Sequence, residues 1–228
     1  MLTNIPVLLV ATGMTLVIVA ADIDVSVGTI FAVCSVVAGL SASVTPIPLV
    51  PFVAIAAGAL LGAINGALVS WVKAPSIVVT LATMVAWREA LRWRTGGAWI
   101  QNLPSNFQWF GLSQRAGEVL IVSCAMALFI LIWFGTKHLV VLRFVYATGS
   151  DKEAARLAGI PIEQITFGVF VLLGALTGFA AILNAVRFSD VPANSGINLE
   201  LKAIAAVIVG GTPLEPHPGP FLPPSPGT

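Results

Sequence analysis

The stretch VSVGTIFAVCSVVAGLSASVTPIPLVPFVAIAAGALLGAINGALVSWV, Val25 to Val72, contains no Asp, Glu, Lys or Arg. A membrane-spanning helix needs roughly 20 mostly apolar residues, so this stretch has room for two. Pro46, Pro48 and Pro51 divide it, because proline removes a helix donor and its ring clashes with the preceding turn. The expected spans are Thr29–Val44 and Phe52–Val72. The second carries Gly58, Gly62 and Gly66 at four-residue spacing, a face of small residues on which another helix backbone can approach closely in lipid.

The pattern repeats outward in both directions. No Asp, Glu, Lys or Arg occurs from Ala74 to Trp87, from Val119 to Gly135, or from Gln164 to Val186. The first 72 residues carry only Asp22 and Asp24 as charged side chains. Of 228 residues, 57% are hydrophobic and 9% charged, with a mean hydropathy of +0.98; ordinary soluble domains carry about 25% charged residues. The fold class is therefore all-α, a polytopic transmembrane helical bundle of about six to seven spans or partial spans. Further spans are expected at Ile5–Ala21, Ile77–Trp93, Glu118–Gly135 and Ile165–Ala185. Ala203–Gly211 begins another apolar segment that is too short to span. Alternation in short segments, the mark of a β-barrel, is absent from the sequence.

The remaining composition excludes several functions. A net charge of +1 provides no basic field for nucleic acid. Cys34 and Cys124 lie in apolar segments and His138 and His217 stand alone, so no metal or catalytic set is expected. The uncharged, aromatic stretch Thr95–Gln114 suits a membrane interface, with Trp99, Phe107, Trp109 and Phe110 at headgroup level. The segment from Thr212 to Thr228 holds seven prolines and reads as polyproline-like or disordered. The expected division is a transmembrane domain at 1–212 and a Pro-rich tail at 213–228.

One charged stretch interrupts the apolar background: GSDKEAARLAGIPIEQI, Gly149 to Ile165. It lies in a loop at about 137–163. Ser150 and Glu153 are spaced as a capping box. Gly159 is placed as a C-terminal cap, and Pro161 prevents continuation. A short helix over 151–158 follows, with Ala154, Leu157 and Ala158 on a small apolar face and Lys152 and Arg156 on another. Such a helix lies at a membrane surface or docks into a groove. The loop's Lys137, Arg143, Lys152 and Arg156 place it in the cytoplasm by the positive-inside rule. Lys73 falls on the same side; Arg94 and Arg115 fall on the other, against the rule. The sequence has no G-x-x-x-x-G-K-[ST], so it offers no P-loop for ATP.

This stretch, with Glu153-Ala154-Ala155 followed by Gly159-Ile160, resembles the "EAA" coupling loop of bacterial ABC importer permeases. GMTLVIVAADIDVSVGTIFAV (13–33), LLGAINGALVSWVKAPSIVVTLATM (60–84) and NSGINLELKAIAAVIVGGT (194–212) are similar to runs of the ribose-type monosaccharide permeases, in the same order. LRWRTGGAWIQNLPSNFQWFGLSQ (91–114) looks most like the L-rhamnose branch. The resemblance implies a multi-pass bacterial inner-membrane subunit that lacks enzymatic activity. It implies an ATP-binding cassette subunit that holds ATP and Mg, a second permease subunit (homo- or heterodimer) and a periplasmic sugar-binding protein. Ser150, Glu153, Ala154, Ala155, Arg156, Gly159 and Ile160 would form the coupling site. Members of the family have a further helix before the first one here and further spans after the "GGT", so the chain is read as truncated at both ends.

The translocation path is sought among polar groups inside apolar runs. Asp22 and Asp24 are candidates because intramembrane carboxylates are costly and commonly functional; they could equally cap the next helix. Asn65, Thr80 and Thr83 are further candidates, or bonds between helices. Glu200 and Lys202 flank a helix start. Two alternatives stand beside the ABC sugar permease: a secondary transporter with Asp22 or Asp24 as its proton or ion site, and an ABC permease for a nucleoside or an amino acid.

Overall fold

The structure, a computed structural model, describes residues 4–138, 140–192 and 194–210, with the backbone alone for 136–138, 140 and 141. Among these residues the chain is helical: α1 (Ile5–Val19), α2 (Val27–Ala42), α3 (Val50–Ser70), α4 (Ser76–Thr95), α5 (Gln114–His138), α6 (Val140–Ser150), α7 (Lys152–Leu157), α8 (Ile162–Ala185) and α9 (Leu199–Val209). The prolines act as expected. Pro48 opens a single 3-10 turn over Ile47–Leu49, and Pro51 lies in the first turn of α3, where its missing N–H costs nothing. Ile47–Ser70, Gln114–Gly135 and Ile162–Ala185 are long and apolar enough to cross a membrane; Ile5–Val19 and Val27–Ala42 are shorter apolar helices.

Helix α8 is the hub, packed against α1, α2 and above all α3. The α3–α8 contact is built from glycine. Gly58 and Gly62 face the backbone of Gly174 and Phe170, and Gly178 faces the backbone of Ala54, with no room for a Cβ at any of them. Gly66 lies against Phe167 and Phe170. The small-residue face read from the sequence thus has a matching face on α8. Backbones this close gain dispersion along the whole contact, which is the main attraction between helices surrounded by lipid. Trp71 stacks on Phe167 at 4.9 Å, closing one end of the seam. Outside this core, α4 and α5 expose Val78, Val85, Phe129, Leu131 and Trp133, the apolar surface that a bilayer covers.

Two expectations are corrected. The segment before the charged stretch is helical: α6 occupies 140–150 of the loop expected over about 137–163. Leu142, Val145 and Thr148 are buried at helical spacing, and Gly149 rests on the backbone of Val19. With Arg143 exposed on the other side, this face packs as a helix although the helix is too short to span. Second, Phe107 is fully buried, and Trp109 and Phe110 pack against the core; Trp99 alone of the four aromatics is mostly exposed. The loop folds back onto the end of α8, where the Trp109 N–H donates to Val186 O at 2.8 Å. The 213–228 tail lies outside the described residues.

The α3–α8 seam predicts a specific sensitivity. Gly62→Leu forces two backbones apart and is expected to lower stability by about 1–3 kcal/mol or more. A thermal melt in detergent reads this as a lower midpoint, and Gly168→Leu, where a Cβ meets open space, is the control expected to leave it unchanged.

Candidate functional site

The chain leaves α1 at Ala20 and runs without helix through Asp22–Val25 before α2 begins. Backbone groups cannot stay unpaired in an apolar interior, and α4 supplies partners. The Ile23 N–H donates to Ser76 Oγ and the Val25 N–H to Thr80 Oγ1, each at 3.2 Å. Ser76, Thr80 and Thr83 share one face of α4 by helical spacing. The extended stretch therefore lies along that face, and its next residues meet α3.

There, a closed hydrogen-bond network forms. Asp24 Oδ1 accepts from the Ser26 N–H (2.8 Å) and Ser26 Oγ (2.6 Å). Asn65 Nδ2 donates to Ser26 Oγ (2.8 Å) and Asp24 Oδ2 (3.4 Å). Thr83 Oγ1 donates to Asn65 Oδ1 at 2.8 Å. Asp24, Ser26, Asn65 and Thr80 are fully buried. The donors to Asp24 are neutral, and the carboxylate precedes the first turn of α2, whose N-terminal dipole favours negative charge. Four of the five polar residues singled out in the sequence, Asp24, Asn65, Thr80 and Thr83, thus come together. Ser26, which bridges Asp24 and Asn65, was not singled out; its signal was the D-x-S spacing of a side-chain-capped turn.

Asp22 belongs to a different place. Its Oδ2 lies 3.8 Å from Lys152 Nζ on α7. Burial pushes the Asp22 carboxyl above its ordinary range, and the Lys152 cation and nearby Ser76 hydroxyl oppose this. A cleft of about 310 Å³ opens here, lined by Asp22, Lys73, Ser76, Lys152, Arg156 and Glu163 among others. Lys73, Lys152 and Arg156 share one end of the molecule, as the charge pattern implied.

Helix α7 confirms the predicted boundaries with one correction. Ser150 is not its cap. Asp151 is: its Oδ1 accepts from the N–H groups of Glu153 (2.9 Å) and Ala154 (3.0 Å). Ser150 ends α6, its hydroxyl donating back to Tyr146 O at 2.9 Å. A carboxylate is the stronger acceptor at a helix start, where the dipole adds to the bond. At the other end, Gly159 (φ 78°) donates to Arg156 O and Ile160 donates to Ala155 O, both at 3.0 Å, the double closure that left-handed glycine permits. Arg156 pairs with Glu163 at 3.3 Å. Ala155 is buried and Ile160 packs against the core, so these two residues anchor the helix. Glu153, Ala154, Arg156 and Gly159 are exposed. So are Leu157, at 87%, and Ala158: the small apolar face points away from the molecule.

The geometry describes a helical bundle with a capped, outward-facing helix at one end and a polar seam inside it. Residues 1–222 match the family described as "Branched-chain amino acid transport system / permease component", and the chain belongs to that family. It is similar to the autoinducer 2 import system permease protein LsrC of Photorhabdus luminescens, 35% identical over 91% of this chain and 63% of that protein. The LsrC proteins of Escherichia coli O9:H4 (strain HS) and Salmonella typhi are 36% and 34% identical, again over 91% of this chain, covering 61% and 60% of theirs. The chain thus spans about three-fifths of the length of these curated relatives. No solved structure matches it.

Two predictions follow from the contacts. Asn65→Leu removes the hub of the buried network and leaves Asp24 Oδ2 without its donor. Each buried group left unpaired costs about 1–3 kcal/mol, so the melting midpoint in detergent should fall clearly, and Asn65→Gln should recover part of the loss. For the Asp22–Lys152 pair, Asp22→Lys and Lys152→Asp each place like charges together. The double exchange restores the pair, so a double-mutant cycle on stability should give a coupling of opposite sign to the single losses.

Proposed function

We propose that the chain is the transmembrane permease subunit of an ATP-driven importer of the ABC class, and that its cargo is a small polyhydroxylated molecule of the monosaccharide type. The observation that carries the reading is the outward apolar face of α7. Among the described residues nothing covers Ala154, Leu157 and Ala158, while Ala155 and the Gly159 closure fix the helix from behind. A helix presented this way fits a groove on another protein. An ATP-binding cassette subunit is the partner proposed for it. ATP and Mg would bind in that partner, and closure of its nucleotide site would move α7. Lys152 on α7 holds Asp22, and Asp22 is two residues from the buried network, so displacement of α7 bears on the polar seam. The seam residues Asp24, Asn65, Thr80 and Thr83 are proposed as the translocation path, held closed in this conformation. A second permease subunit and an external binding protein complete the assembly proposed.

The family membership and the LsrC relatives support the ABC reading. The three runs similar to those of monosaccharide permeases support the cargo class. The L-rhamnose likeness rests on residues 91–114 alone, whereas the relatives named above belong to autoinducer 2 import systems, so the cargo is proposed as a class rather than as rhamnose. A gradient-driven transporter is less well supported, because the Asp24 oxygens are already taken by Ser26 and Asn65 and Asp22 is paired with Lys152.

Copurification tests the reading. The chain, coexpressed with the ATPase subunit of its own system and solubilised, should bring that ATPase down. Leu157→Asp combined with Glu153→Arg should reduce recovery about tenfold, the effect of losing about 1.4 kcal/mol of docking energy. Recovery indifferent to both changes would remove α7 from the coupling role.

A further inference from the structure

A second cleft, of about 340 Å³, opens at the far end of the polar seam from α7. Its position follows from α4. Ser76 lines the cleft beside α7, and Arg88, which lines this one, is 12 residues further along the helix, about 18 Å at 1.5 Å per residue. Between the two clefts lies the buried Asp24–Ser26–Asn65–Thr83 network. Arg88 joins them: its Nη2 donates to Thr29 Oγ1 at 3.2 Å, and Thr29 is in the first turn of α2, just beyond Ser26.

The lining is unlike a lipid-facing groove. Thr29, Arg88, Arg92, Trp99, Asn194 and Ser195 contribute two guanidinium forks, an amide, two hydroxyls and an aromatic face. Among the described residues no carboxylate lines it; Glu89 pairs with Arg92 at 3.4 Å beside it. Arginine donates in a planar fork, asparagine both donates and accepts, and hydroxyls do the same. That inventory matches adjacent hydroxyls, each of which is donor and acceptor. The aromatic ring covers the apolar C–H side of a sugar ring, as an amphipathic contact. The volume falls in the range of small-molecule sites, about 300–1,000 Å³.

The rim is also held in place. Ile100 and Val191 exchange both backbone hydrogen bonds, at 2.9 and 3.0 Å. This ties the loop carrying Trp99 to the loop carrying Asn194 and Ser195. Gly96 and Gly97, both in the left-handed region at φ 62° and 78°, turn the chain from α4 into that rim. Two loops distant in sequence thus present their polar side chains to one space above the seam.

We infer that this cleft is the outer cargo site of the permease, binding a neutral monosaccharide-type polyol through Arg88, Asn194 and the face of Trp99 before it enters the seam. The inference rests on the permease reading proposed above and adds the residues that read the cargo. Its test uses the purified chain in lipid nanodiscs with D-ribose and L-rhamnose as probes and inorganic phosphate as the anionic control. Saturation-transfer NMR reads sugar binding directly, and phosphorus NMR reads phosphate. At least one sugar should show saturable transfer, weakened about tenfold by Trp99→Ala and by Asn194→Ala, both exposed positions whose truncation leaves the core intact. Arg88→Lys keeps the charge but not the fork, and should weaken binding similarly. No sugar signal, a signal indifferent to all three changes, or phosphate binding alone would overturn the assignment. ATPase copurification from the same preparations separates the two readings. Retained ATPase with no sugar binding sinks the cleft alone, and loss of both sinks the permease reading with it.

Discussion

A backbone that leaves the helix inside an apolar bundle must find hydrogen-bond partners among side chains, because neither lipid nor water is there to supply them. This constraint organises the molecule around residues 21–26. The hydroxyls of Ser76 and Thr80 take the freed N–H groups, and Asp24 takes that of Ser26. Satisfying the backbone therefore requires α4 to lie alongside the stretch with its hydroxyl face turned inward. It also requires a carboxylate at depth, and that carboxylate in turn needs Ser26 and Asn65. The polar seam is thus the consequence of breaking a helix in a place where a break is expensive.

Asn65 can serve because of where α3 sits. It lies on α3 between Gly62 and Gly66, the residues that let α3 close on α8. The glycine contact fixes the depth and rotation of α3 against the hub. The amide then faces the start of α2 on one side and Thr83 of α4 on the other. Packing and polarity are coupled: the small residues that draw the backbones together hold in register the one amide that four helices' worth of apolar surface must accommodate.

The two ends of the seam differ in kind. At one, Lys73, Lys152 and Arg156 gather around a short helix whose apolar side is exposed among the described residues. At the other, two loops are stitched by a pair of backbone bonds into a polar rim. An electrostatic contact, Asp22 with Lys152, joins the first end to the seam, and a hydrogen bond, Arg88 with Thr29, joins the second. Neither link is strong alone; an exposed lysine contributes modestly to such a pair. Their value is geometric: one ties α7 to the stretch before α2, and the other ties α4 to the first turn of α2.

The spans within Ile47–Ser70, Gln114–Gly135 and Ile162–Ala185 were legible in the sequence because long uncharged runs have few other physical outcomes, whereas α4, expected to span over Ile77–Trp93, carries Arg88, Glu89, Arg92 and Arg94 and is not among the helices apolar enough to cross; the breaks at Pro46–Pro51 and at Asp22–Asp24 were legible because proline and buried charge are costly. The helix at 152–157 was legible from its closing glycine, although its cap was misplaced by one residue: Ser150 and Asp151 are both capable caps, and only the path of α6 decides that Ser150 remains helical. Helix α6 itself was hidden, since an eleven-residue amphipathic segment with an arginine looks like a loop until its face has something to pack on. Asp24, Asn65, Thr80 and Thr83 could be picked out as polar groups in apolar surroundings, but not as one network, because their partners lie 18 to 57 residues apart. Asp22 looked like the twin of Asp24 and is not, for the tertiary path turns one toward α7 and the other into the core. The sequence by itself determined which segments must be helical and apolar, a matter of local solvation. The tertiary structure decided which polar groups meet, because that depends on how closely the glycine faces of α3 and α8 allow the helices to approach.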